Sequence, residues 1–321
     1  MRAMLVTAGF GTRLAPLTDL LPKAAVPVAN RPVAAFAIDH LCRAGVRDFV
    51  LNTHHLPGEL EHALRAAAPS DVQLSFVHEP VILGTGGGVR NAWHPVEGET
   101  FVVMNGKVVF APDIAGALRV HHEAQALATM IVKAVSVGDP LGAVEIDADG
   151  RVRRLVGRPD VPAGVALQPT LYTGVSLFDA RAHRDLPERG CLIRDAYRHW
   201  IERGERVMAF VDGASFRDVG MSLWHYWEAN MALLNGSERW PGIEPDAAGV
   251  VSADAAQIAP SAQLRQIAVG SGAQIAAGVQ VERCVIWPGA RVDHDLTNAI
   301  VLPSGLTLTV VPPDARSDSA R

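Results

Sequence analysis

The chain has 321 residues, 49% of them hydrophobic and 20% charged, with a net charge of −5. This composition suits one large folded domain with a smaller companion and excludes a disordered chain; the mild acidity gives no general pull toward nucleic acid, so a polyanion would need a local site. Cys42, Cys191 and Cys284 lack CxxC or Cys/His spacing, which argues against a disulfide framework or zinc site. With no apolar run of about 18 residues and no leader pattern, the expectation is a cytoplasmic protein away from membranes.

Apolar runs at 3–7, 48–52, 72–77 and 100–104 are bounded by Gly, Pro, Asp or Asn and predict buried strands. Helices are predicted between them. In 31–44, Val33, Phe36, Ala37 and Leu41 share a face and Gly45 is the stop; 59–68 and 113–124 are similar. Strands alternating with helices in this way predict a mainly parallel sheet covered on both faces, a three-layer α/β/α domain.

From residue 127 strands dominate: "LATMIVKAV", "GAVEID", "RVRRLV" and "LYTGVSLF", with Asp149-Gly150 as a hairpin turn. Helices return at 191–203, with Ile193, Ala196, Tyr197, Trp200 and Ile201 on one face, and at 221–234. Residues 235–255 read as a linker. Beyond it, Ile258 and Leu264, then Val269, Ile275 and Val281, then Ile286 and Val292 recur at about six-residue spacing. That period predicts a short parallel β-helix of about three coils at roughly 18 residues each. The expected domains are 1–234, a linker 235–255, a β-helix 256–310 and a disordered tail 311–321.

The first loop, "TAGFGTRLAPLTDLLPKAAVPV" (7–28), carries the densest chemistry. A strand ends at Thr7, and Ala8-Gly9-Phe10-Gly11-Thr12 lets backbone N–H groups curl around an anion. Arg13 offers a planar guanidinium and Lys23 a second cation, while Pro16, Pro22 and Pro27 stiffen the loop. A Walker A loop needs Gly-Lys-Ser/Thr at a helix start, which is absent. A dinucleotide fingerprint needs a glycine where Leu14 stands, and Pro16 opposes a helix there.

This loop resembles the GxGTR…PK signature of the sugar nucleotidyltransferases, also called NDP-sugar pyrophosphorylases, and the resemblance runs through residues 1–234. "EPVILGTGGGVRNAW" (79–93) is similar to the base-binding segment, "LGAVEID" (141–147) to a sugar-contacting loop, "YTGVSLF" (172–178) to the NTGIYxF strand, and "FRDVGMSLWHYWEAN" (216–230) to WxDVGTPxxYxxAN. The resemblance implies nucleotide contacts from Ala8, Gly9, Gly11, Thr12, Glu79, Gly84, Thr85, Gly86 and Asn105, with Thr85 able to cap the helix. It implies sugar-phosphate contacts from Gly142, Arg158, Thr173 and Gly174. Catalysis falls to Arg13, Lys23, Lys107 and Asp218, with Asp218 also holding Mg²⁺.

Three departures stand out. The family's Asn-Gly-Asp, whose aspartate binds magnesium, reads Asn105-Gly106-Lys107 here. A lysine about 4 Å from Mg²⁺ at an effective dielectric near 20 would be repelled by roughly 8 kcal/mol. The usual Glu-Lys-Pro reads Gly157-Arg158-Pro159, and Met221 replaces the threonine of DVGT.

The resemblance implies that an NTP and a sugar 1-phosphate give an NDP-sugar and pyrophosphate. Mannose-1-phosphate guanylyltransferase-like proteins with a left-handed β-helix are the nearest overall match, and Gly-Thr-Gly-Gly-Gly is also similar to heptose 1-phosphate guanylyltransferases and muramate 1-phosphate uridylyltransferases. GTP with mannose 1-phosphate is the expected pair among several, and a homo-oligomer through the β-helix the expected assembly. The alternative is a weak or inactive nucleotide-sugar-binding regulatory homologue. His54-His55 reads as a polar loop, His121-His122 as charge compensating a helix end, and Trp224, Tyr226 and Trp227 as packing.

Overall fold

The computed structural model describes residues 1–312 other than 137, 138, 140, 142 and 163. They group into two compact units, Met1–Phe10 with Ala34–Phe216, and Gly11–Val33 with Arg217 onward.

The first unit is built on a nine-stranded mixed sheet. Its strands are β1 (Arg2–Val6), β2 (Asp48–Thr53), β3 (Gln73–His78), β4 (Thr100–Asn105), β5 (Ala128–Ala134), β6 (Val144–Ile146), β7 (Val152–Leu155), β8 (Gln168–Asp179) and β9 (Val207–Val211). The parallel core runs β4-β1-β2-β3. β8 is antiparallel to β4, β5 and β6, and β9 lies parallel to β5. The helices α1 (Val33–Arg43), α2 (Pro57–Ala67), α3 (Gly84–Ala92) and α4 (Ile114–Glu123) fill the crossovers. Met4, Val103, Met130 and Phe178 form a core with Val89, Trp93, Tyr197 and Trp200. The 191–203 segment is helical as expected, a π-type stretch Leu192–Tyr197 running into Arg198–Glu202.

Two expectations change. Residues 31 and 32 do not open α1. Arg31–Pro32 pairs antiparallel with Pro27–Val28, because a residue before proline is driven to extended backbone. His121 does not compensate a helix dipole. Its ring is 2% exposed and hydrogen-bonds Thr129 Oγ1 at 2.9 Å, and burial pushes its pKa down to about 4, so it is neutral.

In the second unit, α5 (Leu223–Leu234) is capped by Ser222, whose hydroxyl accepts from His225 N. The C-terminal chain forms the parallel β-helix. Gln257, Gln274 and Arg291 stack in register, which sets 17 residues per coil. Val269, Ile275, Val281, Ile286 and Val292 are its buried core, with Ile258 and Leu264 packed against them. Thr307–Thr309 closes the last coil by pairing antiparallel with Leu296–Val301. No helix among the described residues is long and apolar enough to cross a membrane.

Candidate active site

In the first unit the candidates gather at the carboxyl ends of the parallel strands, where open α/β sheets bind ligands. Val6 and Asn105 are register partners, and Gly106 N donates to Val6 O at 3.0 Å. A Cβ at Gly106 would meet Thr7 Cγ2 at 2.5 Å, so only glycine lets this turn lie against the root of the first loop. Lys107, half-buried, follows directly.

Gly174 has φ +80 at a bulge in β8, and the Asn105 side chain occupies the place a Cβ would take. Thr173 beside it is 1% exposed and donates its hydroxyl to Ile131 O at 2.6 Å, so that hydroxyl is held within the sheet. Arg158 is not brought to this group. It lies past the edge strand β7, 68% exposed, with Asp160 at 3.9 Å. Gly142 lies outside the described residues.

Glu79 is 1% exposed. Its Oε1 accepts from Asn52 Nδ2 at 2.8 Å and its Oε2 from Leu83 N at 3.0 Å. Asn52 Oδ1 in turn accepts from Thr7 N at 2.8 Å and Ala8 N at 3.2 Å. Asn52 was not singled out in the sequence, although an amide ending the apolar run of β2 was the available signal. The Ala8 amide, expected to face an anion, is therefore turned to Asn52.

The glycines of α3 serve close packing within the protein. A Cβ at Gly86 would meet Pro187 Cγ at 2.8 Å, at Gly87 Glu188 O at 2.6 Å, and at Gly88 Asn52 Nδ2 at 2.7 Å. Thr85 does not cap α3. The cap position is Leu83, without a side-chain bond, and Thr85 Oγ1 accepts from Leu192 N at 2.9 Å.

In the second unit the candidate charges meet at one turn. Lys23 Nζ donates to Gly220 O at 3.2 Å, and Arg13 Nη1 reaches Met221 Sδ at 3.6 Å. Gly220 N donates to Asp218 Oδ1 at 2.9 Å. Gly11, with φ +69, starts the 3₁₀ turn Thr12–Leu14 that exposes Thr12 and Arg13. The opening loop thus delivers a guanidinium and an ammonium to the turn that follows Asp218. Among the described residues no group of three or more His, Cys, Asp or Glu could hold a metal ion. His54 instead donates Nδ1–H to Glu79 O at 2.7 Å.

A mixed sheet with candidate residues at the carboxyl ends of its parallel strands defines an open α/β domain of the ligand-binding kind. The sequence matches the Nucleotidyl transferase profile over residues 2–236, and the chain belongs to that family. The mannose-1-phosphate guanylyltransferase of Mycobacterium tuberculosis is 28% identical over 299 residues, covering 91% of this chain and 81% of that one. The UTP–glucose-1-phosphate uridylyltransferase of Synechocystis sp. is 26% identical, covering 92% and 82%. In fold, a UDP-glucose pyrophosphorylase from Acinetobacter baumannii superposes with a TM-score of 0.60 at 23% identity, over 75% of this chain and 95% of that one.

Proposed function

We propose that this protein is a sugar-1-phosphate nucleotidyltransferase whose pair is GTP and mannose 1-phosphate. The observation that carries the reading is the meeting of Arg13 and Lys23 at the turn after Asp218, within a chain of the nucleotidyl transferase family. A phosphate oxygen of the sugar 1-phosphate attacks the α-phosphorus of the nucleotide. The new P–O bond forms as the bond to the β-phosphate breaks, and pyrophosphate leaves with the electron pair. Arg13 and Lys23 neutralise the charge that moves onto the leaving group, so that positioning and electrostatics supply the catalysis. The choice of guanine and mannose rests on the relative named for that activity, similar over nearly the whole chain.

Magnesium fits this donor set only as a partner of the nucleotide. Mg²⁺ is commonly held by one or two carboxylates plus substrate phosphates, and Asp218 would be the carboxylate here. When bound, the ion would neutralise phosphate charge. A panel of NTPs and sugar 1-phosphates, read by pyrophosphate release, tests the reaction. Signal with GTP and mannose 1-phosphate above all others is expected; no signal with any pair removes the enzymatic reading.

One observation favours a second reading. Lys107 stands where the family pattern has a carboxylate, as in a regulatory homologue that binds nucleotide sugar without turnover. Lys107→Asp separates the two. At least a tenfold rise in magnesium-dependent turnover marks a weakened enzyme, and a tenfold or larger loss marks a lysine with its own catalytic part. Tight nucleotide-sugar binding by calorimetry with no turnover in either form establishes the regulatory reading.

A further inference from the structure

Segment 11–33 is tied to α5 by buried hydrogen bonds and to the β-helix by half-buried ones. Tyr226 is fully buried; its hydroxyl donates to Pro27 O at 2.7 Å and accepts from Trp287 Nε1 at 3.0 Å. Burial pushes this phenol upward, so it stays protonated and remains a donor. Asn230, also fully buried, accepts from Ala29 N at 2.8 Å. Asn30 spends its amide on two successive coils, donating to Val251 O at 3.0 Å and Val269 O at 2.9 Å.

Ala29 and Asn30 both have positive φ, 44° and 65°. That backbone is unfavourable for alanine and persists only where the surroundings over-determine it. From this clamp the chain runs back through buried Ala24–Val28 and a 3₁₀ turn to Lys23. Lys23 reaches the 218–221 turn, which leads directly into α5, the helix that carries Tyr226 and Asn230.

We infer that the β-helix is a positioning element of the active site, holding the segment that carries Arg13 and Lys23 through Asn30 and the Trp287–Tyr226 pair. The inference rests on the nucleotidyltransferase reading. Charge stabilisation of a transferring phosphoryl group depends on sub-ångström placement, so a clamp that sets Lys23 acts mainly on kcat. Asn30, Tyr226 and Trp287 are positioning residues.

The test uses the full chain with Asn30→Gly, which keeps the positive φ but removes both donors, and with Trp287→Phe, which keeps a ring but removes the N–H. Where one variant fails to fold, the other carries the test. Expected is a tenfold or greater fall in kcat with KM for the sugar phosphate within threefold. Amides 12–26 should exchange hydrogen at least tenfold faster, with those of β4 unchanged. A lowered Tm with kcat and exchange at 12–26 unchanged would overturn the inference, as would a change in only one of the two. If the wild type releases no pyrophosphate with any substrate pair, the exchange readout alone decides, because it needs no turnover.

Discussion

Asn52 holds the first loop from beneath, its Oδ1 taking Thr7 N and Ala8 N while its Nδ2 meets the buried Glu79 carboxylate. Asn52→Leu keeps the volume but leaves Glu79 Oε1 and the Thr7 and Ala8 amides without their partner, a loss of about 3 kcal/mol. Urea unfolding should show that fall together with a raised KM for nucleotide; a change under 1 kcal/mol would show the brace to be idle. His121 adds a pH dependence. Its folded pKa of about 4 lies below the ordinary 6.5, so between those values the unfolded chain binds the extra proton. Stability therefore falls as pH drops from about 6.5 to about 4, by up to about 3 kcal/mol. His121→Gln should flatten that slope in pH-resolved unfolding, and an unchanged slope would assign it elsewhere. Both residues show where sequence reading stops: Asn52 looked like a strand end and His121 like a helix-end charge, since burial and partners are set by distant chain.

At the scale of elements, the alternating strands, the crossover helices and the hexapeptide rhythm were legible because each carries its own period. The hairpin at 27–32 was not, because Ala29 has no local preference for positive φ and is held there by Asn230. The packing partners of the α3 glycines were not legible, because Asn52, Pro187 and Glu188 come from distant chain. Gly88→Ala gains about 1 kcal/mol of helix propensity. Against that, its Cβ would meet Asn52 Nδ2 at 2.7 Å and Glu79 Oε1 at 2.8 Å, both fixed by their own bonds. Overpacking of this kind costs typically 1–3 kcal/mol, so the net effect is destabilising. A lowered Tm for Gly88→Ala is the expected outcome, and a raised one would mean that the Asn52–Glu79 pair gives way freely.

Across the whole molecule, residues 11–33 share a compact unit with the chain from Arg217 onward, about 200 positions later. No local pattern could announce this, because the bonds of Asn30 and Pro27 have partners at 226, 251 and 269. Cooperative units of opening follow such contacts rather than sequence order. In native-state hydrogen exchange under rising denaturant, amides of Ala24–Val28 should therefore open with those of α5 and the β-helix strand Gln263–Val269, at one shared free energy and slope. Those of β1 and β4 should open with a different pair of values. The comparison is sharp because β1 ends at Val6, only a few residues before the segment begins. If sequence proximity governed instead, 24–28 would open with β1, and the clamp of Asn30 and Tyr226 would contribute little to what holds the cationic loop in place.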